Sequence, residues 1–437
     1  MPSTIPVHIV SKQNNAVHQI HHLLPDGTLG PLAPSSVRAR TALISVTSNN
    51  LTYARGGATP GLFWWDAYPV PSSAGGISPE EWGIVPAWGY ARIIESTVPS
   101  ITPDSLVWGF WPTSAHPVDL RLEPLADGPA GHFCETSPHR GRLMTLYNRY
   151  VVMARATVRC ETDTVSSTSL ESNRAVTTAT CRPVWEAGYL LNHSVFPTKG
   201  SGVKPVEPLG FGGLWSEEDA DLRDAAVVSL GAGTKTARSF AWNLARNRSV
   251  DADGPLGLLQ LTSVPGTLAK FDTGLPIKSL RYDELKEGVE WALGFNPRRI
   301  VVVDCGSSAK AVEELAEALS SSVEEMKVTV VAVGQEAKVY SDEEYKAHVA
   351  TWSRKAVTKV QLNTSGVADR AKETSGVVKY FEELEGAWGR CVNEKGLGEF
   401  ETVWFHGVEG DKGVEGAWTA LCDRKMAANA SAVVRMD

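Results

Sequence analysis

Two glycines stand where a phosphate-binding backbone would need them. The stretch Ser229-Leu230-Gly231-Ala232-Gly233-Thr234-Lys235-Thr236-Ala237 closes the apolar run Ala225 to Leu230 and opens a helical pattern from Thr234 to Asn247. Glycines at the C-terminal end of a strand permit a tight turn. The start of the next helix offers unpaired N–H groups and a positive dipole end to a pyrophosphate. Gly231 and Gly233 match the first two positions of G-x-G-x-x-G, and Thr236, beside Ala237, stands at the third. Candidate dinucleotide contacts are therefore Ser229, Gly231, Ala232, Gly233, Thr234, Lys235 and Thr236, with Cys305 at the end of a later strand. A P-loop reading fails on spacing, because Thr234 separates Gly233 from Lys235 where that motif needs them contiguous. A glycine turn without a ligand is the plain alternative.

The end of the following strand bears on which dinucleotide fits. An Asp or Glu there holds the ribose hydroxyls of NAD. This chain has Leu261-Thr262-Ser263-Val264-Pro265, with no acid. The hydroxyls of Thr262 and Ser263 leave room for a 2′-phosphate and can donate to it, which favours NADP(H). They also suit the cap of a following helix, and both roles can hold together. Lys235 either reaches a phosphate or is an exposed helix lysine.

A second group, Tyr147, Asn148 and Tyr150, lies on a short apolar stretch. At helical spacing the two tyrosines share a face with Asn148 beside it. They would line the nicotinamide end of a site, or pack with satisfied hydroxyls. The chain carries 14 tryptophans, and Trp64, Trp65, Trp82, Trp88, Trp108 and Trp111 crowd into one segment. Such side chains serve cores and ligand pockets alike. His18, His21 and His22 have no acidic or Cys partner nearby and read as a solvated cluster.

These residues need elements to position them. The 437 residues are 43% hydrophobic and 21% charged, a globular composition long enough for two or three domains. A net charge of −8 argues against nucleic-acid binding through phosphate neutralisation. The six cysteines (Cys134, Cys160, Cys181, Cys305, Cys391, Cys422) form no C-x-x-C pair, so reduced thiols in the cytoplasm are expected rather than disulfides or a zinc module. No signal peptide or membrane span is expected. Before about residue 195 the chain is rich in Pro, Gly, Trp and Thr, with short strands at Val7 to Val10, Thr41 to Val46, Tyr90 to Glu95 and Leu106 to Phe110. Cys160 to Cys181 reads as an exposed Ser/Thr loop. From about residue 222, strands at Ala225, Leu256, Ile277, Arg299 and Lys327 alternate with helices, which argues for a parallel sheet. Val264 to Phe271 reads as a short helix. The tail adds helices at Val377 to Val392 and Ala417 to Met426 and strands at Thr402 to His406 and Ala432 to Met436.

Several stretches resemble a known group. Arg40 to Tyr53, Val85 to Ile94, Asp104 to Gly109, Ile277 to Tyr282 and Arg299 to Gly306 are similar to strands and turns of zinc-free medium-chain dehydrogenases/reductases of the quinone oxidoreductase type. Asn49 to Ala54, Trp82 to Gly89, Trp108 to Pro112, Tyr147 to Tyr150 and Thr234 to Ala237 resemble more closely the domain of unknown function 2855 family. The resemblance implies an α/β chain. A GroES-like β-barrel domain would span 1–195, an inserted Rossmann domain with a doubly wound parallel sheet 196–362, and a return to the first domain 363–437. It places Tyr53 at an active-site tyrosine, whose phenol would donate to a developing enolate. Asn49 or Asn50 would add an amide donor or merely form the turn. Tyr282 falls near the adenosine end, where its ring suits stacking. Trp64, Trp65 and Trp111 fall in loops expected to face the cleft and, with Tyr150, are candidates for substrate contact. Trp88 and Trp108 lie in strand motifs and are expected to be structural. Ser48-Asn49-Asn50 replaces the catalytic-zinc ligands, so no metal is expected, and oxyanion charge would fall to hydroxyl and amide donors.

The resulting expectation is an NADP(H)-dependent, zinc-independent oxidoreductase. It would reduce an activated C=C or C=O of a small apolar, aromatic or polyketide-like molecule of secondary metabolism. Alternatives are a redox-neutral lyase, isomerase or aldolase on the same scaffold, and a non-catalytic redox sensor. The resemblance also implies a homodimer through the Rossmann edge strand, here Lys327 to Val333, while the acidic net charge and the lack of a long apolar run argue against a nucleic-acid or membrane partner.

Overall fold

The computed structural model describes all residues except 1–3, 25–29, 72–75, 154–171, 214, 321–325, 335, 337–338, 340–356 and 437. Most of the Ser/Thr-rich stretch that begins at Cys160 lies outside the described residues. The chain divides into two compact units, one built mainly from Met1–Thr180 and Glu401–Asp437, the other from Cys181–Glu336 and Tyr340–Phe400. Sequence reading places the divisions after 195 and 362 instead. The differences arise from helices. Asn173–Leu190, an unanticipated helix, runs across the first boundary despite Pro183 in its interior. Its second half carries Trp185, which meets Trp388 edge-on at 5.3 Å, and Glu186, which accepts from Tyr380 Oη at 2.7 Å. The helix that bears Tyr380 and Trp388, Val377–Asn393, and the preceding Thr364–Ser375 therefore belong to the second unit.

The first unit contains β1 (Ile5–Ser11), β2 (His18–Leu23), β3 (Ser36–Val46), β4 (Trp82–Gly83), β5 (Pro86–Ser96), β6 (Leu106–Pro112), β7 (Val118–Pro124), β8 (His132–Glu135) and β9 (Arg149–Val152). Strands β3, β5, β6, β9, β8 and β7 pair in that order, and β7 pairs back to β3, which closes a six-stranded barrel. The length of β3 makes closure possible. Its first residues, Ser36 to Ala39, pair with β7, while Leu43 to Val46 pair with a C-terminal strand. Strands β1, β2 and β4 form a separate small sheet. The barrel core is heavily aromatic, including Trp88, Trp108, Phe110, Trp111 and Tyr150.

The second unit is an open parallel sheet of β10 (Ala225–Leu230), β11 (Gly257–Leu261), β12 (Ile277–Leu280), β13 (Arg299–Cys305), β14 (Lys327–Gly334) and β15 (Val357–Gln361), in the order β12-β11-β10-β13-β14-β15. That is the doubly wound order with a switch point beside the first strand. Every residue of β10, β11 and β13 is buried, as expected of parallel strands covered on both faces. The chain then returns to the barrel as β16 (Glu401–His406) and β17 (Ala430–Arg435), with β17 antiparallel to β3. The chain is thus α/β, a GroES-like barrel with an inserted Rossmann sheet. Two expectations are corrected. Lys327 to Val333 is not an edge, because β15 pairs on its outer side. Val264 to Phe271 supplies only the 3-10 turn Pro265–Thr267, where Pro265 begins a turn too short to propagate. No helix among the described residues is long and apolar enough to cross a membrane.

Candidate functional site

In the first unit, Asn49, Asn50 and Tyr53 lie on a helix, Ser48–Gly56, rather than on the expected turn. Thr47 caps it, and the Asn50 side chain accepts the Thr47 N–H at 2.6 Å and donates to the Pro86 carbonyl at 2.8 Å. Both ends of that amide are engaged, so Asn50 builds the helix start. Asn49 and Tyr53 are four residues apart and share a helix face. Tyr53 Oη accepts from Trp88 Nε1 at 3.1 Å and also hydrogen-bonds to the side chains of Tyr147 and Asn49. The ring of Tyr53 meets Trp64 at 4.9 Å, Phe110 at 5.2 Å and Tyr147 at 5.8 Å, all edge-on. Burial pushes the Tyr53 phenol up to about 12, and the three hydrogen-bonding neighbours oppose that rise. Burial also raises Tyr147 well above the usual phenol range. Both phenols are protonated at neutral pH, so the pair can donate protons but cannot act as a base.

The structure brings Tyr147 to this group and separates most of the other candidates from it. Tyr147 and Asn148 lie in the 3-10 turn Thr145–Asn148 and Tyr150 in β9, so the two tyrosines do not share a helical face. Tyr150 is fully buried. Its hydroxyl takes the Arg140 guanidinium at 2.7 Å and bonds to the Phe110 carbonyl at 2.7 Å. Trp111 is fully buried too and donates to the Val107 carbonyl at 3.1 Å. Trp65 is clamped between two glycines, where a Cβ at Gly57 or Gly83 would fall 2.3 Å from its indole. These three expected substrate contacts are core side chains. Of the four, only Trp64 stands at Tyr53. Asn148 donates to the Arg140 carbonyl at 3.2 Å, a structural bond that ties its turn to the preceding one.

In the second unit, Gly231 ends β10 with φ of +77°, a conformation that favours glycine. Thr234 caps the helix Lys235–Arg246, its hydroxyl accepting from Ala237 N–H at 3.3 Å. The N–H groups of Lys235 and Thr236 at the first two helical positions have no intrahelical acceptor, and no acid lies in that first turn. Ala232 is different, since its N–H donates to the Leu261 carbonyl at 2.9 Å. A Cβ on Gly233 would meet Thr262 Oγ1 at 2.6 Å, so this glycine admits the side chain that follows the neighbouring strand. Thr262 is buried, and its hydroxyl accepts from the Val264 N–H at 3.3 Å; Ser263 is exposed. Ser229 is buried within β10, and the Cys305 carbonyl packs against Gly231 while burial pushes the Cys305 thiol up. Tyr282 follows β12, and its phenol oxygen bonds to the Gly231 backbone. Burial raises it to about 12. Lys235 is partly exposed, and its ammonium lies 5.1 Å over the Phe400 ring. Burial lowers its pKa.

Two arginines were not among the sequence candidates. Arg238 is buried. Its Nε donates to the Gly233 carbonyl at 2.9 Å and its Nη1 to the carbonyls of Thr267 at 2.7 Å and Leu397 at 2.9 Å. Arg281 Nη1 donates to the Ser263 carbonyl at 3.3 Å. Its position directly before Tyr282 was the available signal, because β12 is parallel to β11 and both strands end on the same sheet edge. Among the described residues, no three His, Cys, Asp or Glu side chains are grouped to hold a metal ion.

A family described as "Protein of unknown function (DUF2855)" matches residues 44–427. No curated protein matches the sequence. Among solved structures, a mutant enoyl thioester reductase from Candida tropicalis superposes with a TM-score of 0.54 at 11% identity, over 99% of this chain and 100% of that one. The mitochondrial 2-enoyl thioester reductase Etr1p/Etr2p heterodimer from Candida tropicalis gives the same values, 0.54 at 11% identity, 99% and 100%. The Etr1p/NADP/crotonyl-CoA complex gives 0.52 at 12% identity, 99% and 100%. At these identities the likeness is one of fold.

Proposed function

The chain belongs to the DUF2855 family, and from that premise we propose that it is an NADP(H)-dependent, zinc-independent oxidoreductase of the medium-chain type. Its substrate would be a small apolar or aromatic molecule bearing an activated C=C or C=O. The observation that carries this reading is Arg281 on the Ser263 carbonyl, beside a second strand that ends without an acid. A guanidinium and a hydroxyl at that place suit a 2′-phosphate, and the strand end offers no carboxylate to a bare ribose diol. The pyrophosphate would lie on the N–H groups of Lys235 and Thr236, with the Lys235 ammonium beside them. One structural neighbour was solved with NADP and crotonyl-CoA, which lends the same reading support.

The bound nicotinamide would supply or accept a hydride. This chain's own contribution is electrostatic and acidic. Tyr53 would donate its proton to the substrate oxygen or enolate carbon, and Asn49 would hold the adjoining oxygen. Trp64 and Tyr147 would exclude water beside the phenol, which strengthens each donor. Calorimetry with NADPH and NADH tests the cofactor, and a panel of enones and quinones with NADPH tests turnover. Binding of neither dinucleotide at millimolar concentration would refute the reading.

One observation favours a second reading, a redox-neutral lyase, isomerase or aldolase. Ala232 N–H is spent on Leu261, and Tyr282 occupies the Gly231 backbone, so part of the turn is already satisfied internally. Turnover that proceeds without dinucleotide would select it.

A further inference from the structure

Tyr53 has an unusual set of donors around one oxygen. Trp88 Nε1 donates to Oη at 3.1 Å, and the side chains of Tyr147 and Asn49 hydrogen-bond to the same oxygen. An indole N–H can only donate, so the Trp88 bond has one sense. Trp88 is itself fixed, stacked on Trp108 at 5.0 Å and 23° and tilted against Phe110 at 5.0 Å. A neutral phenol accepts two hydrogen bonds and donates one, whereas a phenolate accepts three. Three partners at one phenol oxygen match the phenolate at least as well as the phenol. Tyr147 has two such side-chain partners, Trp64 and Tyr53, against three at Tyr53.

We propose that Trp88 and Tyr147 are positioning residues that make Tyr53 the acid of this site, by holding the phenolate that remains when its proton leaves. The inference rests on reading Tyr53 as the proton donor. In the step, a bound reduced nicotinamide would supply the hydride, its ring C–H bond breaking and the ring being oxidised as a new C–H bond forms on the substrate. The Tyr53 O–H bond breaks, and its proton forms an O–H or C–H bond on the reduced product. The electron pair of the broken bond stays on Tyr53 Oη, where Trp88 N–H and Tyr147 O–H donate to it. Water later returns a proton to the phenolate.

The test places 3,5-difluorotyrosine at position 53 of the full chain, which brings the phenol's titration into an accessible pH range, and follows it by absorbance without cofactor or substrate. Trp88→Phe and Tyr147→Phe should each raise the midpoint by about one unit, a tenfold fall in the ionisation constant. Trp111→Phe, which keeps an aromatic ring in the core, should leave it in place. Benzothienylalanine at position 88 keeps the bicyclic ring and removes only the N–H. It should reproduce the Trp88→Phe shift even if the phenylalanine variant is poorly folded. An unchanged midpoint in the benzothienylalanine and Tyr147→Phe proteins overturns the proposal. The titration needs no turnover, so a protein that never consumes NADPH would defeat the oxidoreductase reading without deciding this one.

Discussion

Arg281 Nη1 lies 3.3 Å from the carbonyl oxygen of Ser263, so a cation rooted after the third strand of the parallel sheet serves the end of the second. Parallel register brings this about. Leu261 pairs with Leu280, and the residues that follow each strand emerge on one edge. Arg281→Ala should weaken NADPH by about ten- to a hundredfold, the effect of losing one charge-assisted contact of roughly 1.5–3 kcal/mol. NADH affinity should change little, because NADH has no 2′-phosphate. Paired calorimetric titrations check this, and equal losses for both dinucleotides would place Arg281 elsewhere in the site.

Tyr53→Phe removes the proposed proton donor and leaves the ring that Trp64 and Phe110 pack against. On a substrate that the protein reduces, kcat should fall by about a hundredfold or more, within the usual range for a general acid, while KM stays near its original value. The pH profile should be flat through neutrality on the alkaline side, because burial holds the phenol up to about 12. A Phe variant that keeps full kcat would remove Tyr53 from the chemistry.

Much of the fold was legible because its signals are local. Ala225 to Leu230 is a six-residue apolar run between polar turns, and the structure makes it a fully buried strand with the same ends. The helix Asn173–Leu190 was not legible, because Thr and Pro dilute its pattern and its apolar face is completed by partners some two hundred residues away, such as Trp388. The site divides in the same way. Gly231 announces itself locally, because the tight turn after β10 needs a positive φ that favours glycine. Trp88 gave no sign of meeting Tyr53, since that hydrogen bond joins a barrel strand to a helix 35 positions away. The tryptophan pair at 64 and 65 shows the limit most plainly. Adjacent residues of one type point to different places, one to Tyr53 and one into the gap left by Gly57 and Gly83.

Two buried histidines set an acid limit on the first unit. His8, whose Nε2 is 3.1 Å from His18 Nδ1 and whose ring faces Trp418, is lowered to about 3, by burial first and then by the charge of His18. His116, whose Nδ1 is 2.7 Å from Ser114 Oγ, is lowered to about 4 by burial. Both are easier to protonate in the unfolded chain, whose histidines titrate near 6.5. Between that value and about 4 the unfolded state binds more protons, so stability falls as pH falls through the window and is flat above it. Urea midpoints at neutral pH and at about pH 4.5 should differ, and His8→Leu should reduce the difference. The same difference in the variant would mean that other groups govern the acid limb.

Arg238 offers a test that joins stability to cofactor binding. Its guanidinium bonds the carbonyls of Gly233, Thr267 and Leu397 and the Thr267 hydroxyl, with no carboxylate partner among the described residues. Burial lowers its pKa to about 10, so the fold bears a desolvation cost to keep the charge there. Arg238→Met would relieve that cost but take the donor from the Gly233 and Leu397 carbonyls, each worth about 1–3 kcal/mol when buried and unpaired, while the Thr267 carbonyl keeps the Glu399 N–H at 3.2 Å. The net loss of stability should be roughly 2–3 kcal/mol, read as a lower urea midpoint at unchanged slope. Because one of those carbonyls belongs to the second glycine of the turn, the same variant should bind NADPH more weakly at temperatures where it remains folded. Arg238→Lys keeps the charge but cannot reach all three carbonyls from one ammonium, and should fall between the two in both measurements. If Arg238→Met lost stability while binding NADPH as tightly as the original chain, the guanidinium would be a packing device alone, and the glycine turn would hold its shape without it.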